Sequence, residues 1–178
     1  AELISNAALL DVAAAVAVDT QPAGARKYVG ETHPFSVTAS GGFAPLSYQW
    51  QKDGEDLPGA EDAAYTTPAL TVDAAGAYAC VIIDDAGTAA VSDEAVLEVA
   101  DTLAITTQPT STRGYVGTSA AFNVAASGGF APLSYQWQED GEDLPGATAD
   151  TYEIAALALD QAGAYPCVVT DDRGTQRI

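Results

Sequence analysis

The chain has 178 residues, enough for one or two domains with a core apiece. With 25 acidic residues against six basic ones, a formal net charge of −19, it lacks the basic footprint that nucleic acid or an anionic membrane surface requires. No apolar run reaches the roughly 18 to 20 residues of a membrane-spanning helix, and the alanine-rich stretch from Ala7 to Val18 is broken by Asp11, so no membrane insertion is expected.

The first segment in chain order is SNAALLDV, residues 5 to 12, followed by an alanine-rich connection to Thr20-Gln21-Pro22. Phe35, Val37 and Ala39 then alternate before Ser40-Gly41-Gly42 turns the chain. Tyr48 and Trp50 share one face of the next strand, and Asp53-Gly54 begins a further turn. Ala69-Leu70-Thr71-Val72 leads into DAAGAYAC, ending at Cys80. Asp84-Asp85-Ala86-Gly87 marks a hairpin before a last strand that contains SDEAVLEV, residues 92 to 99. Short alternating runs separated by turn signals predict an all-β sandwich, and no segment holds a helical period.

The pattern then starts again. A register of 87 residues, without insertion or deletion, lays Gln21-Pro22 on Gln108-Pro109, Trp50 on Trp137 and Cys80 on Cys167. GGFAPLSYQWQ occurs unchanged at 41 to 51 and 128 to 138, and GEDLPGA at 54 to 60 and 141 to 147. The expected organisation is an N-terminal strand at 1–12, a linker at 13–17, a domain at 18–99, a linker at 100–104 and a second domain at 105–178.

The Trp of SYQWQ, followed 30 residues later by the Cys of DxxGxYxC, resembles the immunoglobulin-like fold, in the variety repeated in bacterial surface proteins. The resemblance implies two tandem immunoglobulin-like β-sandwiches, with Trp50 and Trp137 buried on the third strand and Tyr78 and Tyr165 as tyrosine-corner residues. The position 13 residues before each Trp, which commonly holds a partner cysteine in that fold, is Val37 in one copy and Val124 in the other. Cys80 and Cys167 are therefore expected to be small core residues, each packed on its own Trp. A bond between them would have to link two cores.

In the same register the second copy reaches Thr175-Gln176-Arg177-Ile178 and has no counterpart of residues 92 to 99, so it lacks most of its last strand. Residues 5 to 12 fall on the missing piece: Ser5 on Ser92, Asn6 on Asp93, Ala8 on Ala95, Leu10 on Leu97, Asp11 on Glu98 and Val12 on Val99. A sandwich without that strand exposes an unpaired ladder and an apolar groove. The expectation is that residues 1–12 act as a donor strand completing the second domain of a neighbouring chain, an arrangement resembling pilin subunits. By alternation Ala8, Leu10 and Val12 point into the groove, with Leu9 and Asp11 outward. Val116, Tyr165, Cys167 and Val169 are the expected acceptor groove. Such a contact is heterologous and generates an open head-to-tail fibre of the chain with itself. Ala1 to Ile4 share register positions with Thr175 to Ile178, so the two segments are expected to diverge there. Pro166, where the first copy has Ala79, removes a backbone donor either as a tolerated irregularity or as a change in pairing at the docking strand.

The expected function is thus a structural subunit of an extracellular, cell-surface filament. The alternative is a piece of a tandem adhesin stalk or ligand-binding module of a larger surface protein. An opening Ala-Glu fits a mature secreted product and fits a fragment boundary equally.

No enzyme is expected. The only histidine, His33, precedes Pro34 at a strand mouth, has Ala120 as its counterpart, and is expected to be exposed and inert. No zinc site is expected from one cysteine per core. Hard cations such as calcium take carboxylates from acidic turns like those at Asp53, Glu55, Asp56 and Asp140, Glu142, Asp143, and at Asp84-Asp85 and Asp171-Asp172. These turns are expected to be solvated, with no cofactor. Phe43 and Phe130 could form a glycan platform if exposed and are expected instead to cover a loop or a neighbour. Any surface receptor or glycan remains unknown from sequence.

Overall fold

The computed structural model describes residues 5–178, and the predicted contribution of residues 1–4 to a donor strand lies outside them. The chain divides into two compact units between Val99 and Ala100. No helix among the described residues is long and apolar enough to cross a membrane.

The first unit is a sandwich. One layer runs β2 (Ala25–Tyr28), β10 (Ala95–Ala100), β8 (Gly76–Ile83), β5 (Ser47–Lys52), β6 (Glu55–Asp56), with β9 (Ala89–Val91) also pairing with β8. The other layer is made of two pairs, β1 (Ala17–Thr20) with β4 (Thr38–Ser40) and β3 (Pro34–Ser36) with β7 (Ala64–Thr66). β5 and β8 pair antiparallel from Ser47↔Ile83 to Lys52↔Tyr78, which sets Trp50 opposite Cys80. Phe35, Val37, Trp50, Leu70, Tyr78, Cys80, Ile82 and Leu97 close the core, none more than 3% exposed.

The second unit repeats this plan incompletely. β11 (Ala104–Thr107) pairs with β13 (Ala125–Ser127), β12 (Ala120–Asn123) with β16 (Thr151–Ile154), and a sheet runs β15 (Glu142–Asp143), β14 (Ser134–Glu139), β17 (Cys167–Thr170), β18 (Gln176–Arg177). Trp137 lies opposite Cys167 and is fully buried, with Val124 at 4% exposure beside it. β17 has four residues where β8 has eight. Residues 112–115, in register with β2, form no strand, and the register positions of β10 fall after residue 178.

Local chemistry explains why both copies hold the same frame. Each tryptophan ring N–H donates to a backbone carbonyl twelve residues on, Trp50 to Asp62 O and Trp137 to Ala149 O, both at 2.9 Å. At the corner positions the Tyr78 hydroxyl donates to Ala74 O and the Tyr165 hydroxyl lies against Gln161 O, both at 2.8 Å. Gly41-Gly42 takes φ of 72° and 68°, and a Cβ on Gly41 would meet Ala15 O at 2.1 Å. The turn therefore tolerates no side chain there.

The predicted linkers are shorter than expected. Val16 and Leu103, which fall within the expected linkers 13–17 and 100–104, are 9% and 1% exposed and belong to the cores of their units. Burial of a branched apolar side chain one residue before β1 and before β11 anchors the entry to each strand.

Candidate docking groove on the second domain

The groove starts from one aromatic pair. Phe122 on β12 and Tyr165 just before β17 stack with centroids 4.9 Å apart at 15°. Their counterparts Phe35 and Tyr78 stack at 4.5 Å and 21° and are 1% and 3% exposed, while Phe122 and Tyr165 are only partly buried. What closes the first pair is β10, whose Ala95 lies opposite Tyr78 and whose Leu97 lies opposite Gly76, at 3% and 0% exposure. The second domain has a cleft of about 420 Å³ at that place, walled by Val116, Phe122, Ile154, Leu157, Gly163 and Tyr165, with Arg113 at its rim. A neighbouring cleft of about 480 Å³ shares Phe122, Gly163 and Tyr165 and continues along residues 108–112.

Of the four expected groove residues, Val116 and Tyr165 line the cleft, Val116 being 65% exposed. Cys167 and Val169 do not: they are 3% and 0% exposed and belong to the core around Trp137. They alternate with Val168 and Thr170 on the inner face of a strand whose other layer covers them. Phe122, Ile154 and Leu157 were missed because they come from the opposite layer. Their register partners Phe35, Thr67 and Leu70 are all buried in the first unit, so the self-match is the signal that could have found them.

The expected donor side chains stand clear of the first unit. Leu9, Leu10 and Val12 are 100%, 89% and 78% exposed, and Ala8 is exposed as well. No strand is formed over residues 5–16.

Burial raises the Tyr165 phenol well above its ordinary value, and Glu139 Oε1, 2.6 Å from the hydroxyl, adds to the shift. Tyr78 moves the same way, mainly through burial. Both corner hydroxyls therefore remain protonated donors at any physiological pH.

Elsewhere the structure corrects three expectations. His33 is buried at 9% exposure, edge-on to Phe35 at 4.6 Å and 86°, with Nε2 3.0 Å from Ala23 O, because the chain preceding β2 folds over it. Asp84 and Asp171 are buried rather than solvated. Asp84 accepts from Phe43 N at 3.1 Å and Thr88 N at 2.7 Å, and Asp171 accepts from Phe130 N at 3.0 Å and Thr175 N at 2.9 Å. Hydrogen bonds from the Phe43 and Thr88 amides hold the Asp84 carboxyl below its usual range. Asp53 and Asp140 take positive φ of 52° and 49° and accept from Ala77 N and Ala164 N, both at 2.8 Å, so they tie turns to strands. Asp56 and Asp143 each accept from a glutamine side chain, and they stay exposed along with Glu55 and Glu142. Among the described residues no three His, Cys, Asp or Glu converge as a metal-holding group.

Phe130 is buried at 6% exposure and Phe43 is half-buried, so neither stands out as a platform. Cys80 and Cys167 are buried free thiols, one per core, and burial pushes Cys80 up to about 11.

No family model matches the chain. It is 36% identical over 81 residues to the decoration protein of Escherichia phage T5, covering 46% of this chain and 44% of that protein. It is 28% identical over 165 residues to the muscle M-line assembly protein unc-89 of Caenorhabditis elegans, covering 82% of this chain and 2% of that protein. The chain thus spans less than half the length of either. Among solved structures it is similar to an I-band fragment of titin, at TM-score 0.68 and 20% identity over 92% of this chain and 63% of that one. It is also similar to immunoglobulin domains 1 to 4 of Sidekick-1, at TM-score 0.76 and 22% identity over 93% of this chain and 48% of that one. The fold is all-β, a tandem of immunoglobulin-like sandwiches.

Proposed function

We propose that the chain is a two-domain stretch of a tandem immunoglobulin-like array in a larger surface protein, serving as an adhesion stalk or ligand-binding module outside the cell. The observation that carries this reading is the uninterrupted 87-residue register, which repeats linker as well as domain. Likeness to tandem immunoglobulin domains of titin and Sidekick-1, and to a phage decoration protein, supports it. The large acidic excess keeps such a surface soluble and unattractive to polyanions. Labelling of intact source cells or particles with a membrane-impermeant amine reagent tests the location. Modification of Lys27 or Lys52 is expected, and complete protection until lysis overturns it.

A second reading, a head-to-tail filament subunit, is favoured by one observation. Exposed Leu9, Leu10 and Val12 lie 87 residues before Val96, Leu97 and Val99 of the last strand of the first domain. Electron microscopy and size exclusion of the full chain test it, with elongated polymers expected and a concentration-independent monomer against it.

A further inference from the structure

We propose that the corner tyrosine of the second domain is an acid-closed latch: ionised Glu139 holds the one hydroxyl proton of Tyr165, and protonation of Glu139 frees that proton for the turn at Leu159–Gln161. Tyr165 Oη lies 2.6 Å from Glu139 Oε1 and 2.8 Å from Gln161 O. A phenol has a single proton to give, and both of these neighbours accept. Burial and Glu139 together keep the phenol protonated. An O–H to carboxylate contact of 2.6 Å is in the charge-assisted range and is the stronger of the two. With Glu139 ionised the proton therefore lies toward β14, and Gln161 O is left to water. A protonated Glu139 donates to Tyr165 Oη instead, and the hydroxyl then turns its own proton to Gln161 O. Only in that state do both contacts become hydrogen bonds.

The first domain has the same corner without the competitor. Residues 39–60 recur at 126–147 with one difference, Lys52 against Glu139. Lys52 is a donor, with Nζ bonded to Asp73 O at 2.7 Å and 3.4 Å from Asp53 Oδ2. The Tyr78 hydroxyl gives its proton to Ala74 O at 2.8 Å, and the side chain at the position of Glu139 cannot take it away. One change in an otherwise identical hairpin turns a corner with one state into a corner with two.

Pro166 raises the weight of that proton. In the first domain the pairing of β5 with β8 continues to Lys52↔Tyr78, so the ladder itself holds the corner residue. In the second domain the pairing of β14 with β17 ends at Trp137↔Cys167. Gln138 N donates to Pro166 O at 3.0 Å, but proline has no N–H to return to Gln138 O. Beyond this break the chain is next tied at Ala164, whose O and N bond Asp140 N at 2.9 Å and Asp140 Oδ1 at 2.8 Å. Where the Tyr165 hydroxyl points then decides whether the turn at Leu159–Gln161 is tied to the sheet as well.

Other charged and titratable groups surround the pair. Asp140 follows Glu139 and is engaged by Ala164 N, and Asp160 lies in the turn beside Gln161. The Tyr152 ring stands 6.0 Å from that of Tyr165, and Arg113 lines the same cleft as Tyr165. Of these only Asp140 and Asp160 share the acid chemistry of Glu139.

The test follows the carbonyl carbon of Gln161 by NMR in the full chain from about pH 7 to about pH 3, the span in which carboxylates take up protons. Points are kept where near-ultraviolet dichroism stays native. The Gln161 resonance should move as pH falls, while that of Ala74 holds still. Glu139→Lys, which places the residue of the first domain in the second, should put Gln161 at its acid position already at neutral pH and remove most of the titration. Glu139→Met, similar in size and unable to compete for the proton, should do the same and serves if the lysine variant fails to fold. Tyr165→Phe should abolish the movement. A titration that survives unchanged in the Glu139 variants belongs to Asp140 or Asp160 and overturns the proposal. So does a wild-type Gln161 resonance that never moves, or a variant resonance that stays at the neutral wild-type position.

Discussion

The rings of Phe122 and Tyr165 stack with centroids 4.9 Å apart against 4.5 Å for Phe35 and Tyr78, and only the latter pair is shut from solvent, in the core that also holds Leu97 and Ala95 of β10. Leu97→Ala should therefore make the first domain resemble the second. Removal of this fully buried side chain is expected to cost about 2 to 5 kcal/mol. Urea unfolding of the full chain, followed by tryptophan fluorescence, measures it.

Gln49 and Gln136 brace each domain in the same way. Gln49 Nε2 donates to Trp50 O at 2.9 Å and Leu57 O at 2.8 Å, and Gln136 Nε2 donates to Trp137 O and Leu144 O, both at 2.8 Å. Gln49→Ala withdraws two donors from partly buried carbonyls and should destabilise the first domain by about 1 to 2 kcal/mol. Gln49→Glu should do no better, since a carboxylate cannot donate. Parallel denaturation curves of the two variants check this.

The buried Asp84 carboxylate makes acid stability specific. Its folded pKa is depressed by the Phe43 and Thr88 amides, so its contribution is present above the unfolded value and fades as pH falls through the lower folded one. Asp84→Ala should lower the melting temperature at neutral pH. The gap from wild type should narrow below about pH 4, where the unfolded carboxyl takes up its proton. A gap that does not depend on pH would mean that the charge is irrelevant to the hairpin.

The thiols set an alkaline limit. Cys80 is raised to about 11 by burial, whereas an unfolded cysteine titrates near about 8.5. In that window the unfolded state alone loses its proton, so stability falls as pH rises through it. At pH 8 the native chain should resist a thiol reagent, and labelling should follow the rate of opening.

Much of this protein is legible in its residues. Short-range patterning and the 87-residue self-match indicate the sandwich strands and the two copies, while the roles of Trp50, Trp137 and the corner tyrosines come from the immunoglobulin-like resemblance. The register of SNAALLDV on SDEAVLEV is readable for the same reason. Identical spacing in two copies makes one copy a template for the other.

Burial decided the rest, because it depends on what the remainder of the chain lays over a residue. His33 is covered by Ala23, ten residues upstream, and Asp84 is enclosed by an amide 41 residues away at Phe43. Neither closure leaves a local mark, so an inward histidine and a structural carboxylate read as solvated. The groove shows the same limit. Its edge residue Tyr165 follows from strand order, but its floor of Phe122, Ile154 and Leu157 comes from the other layer. Only the packing of that layer against the sheet brings them to one cleft.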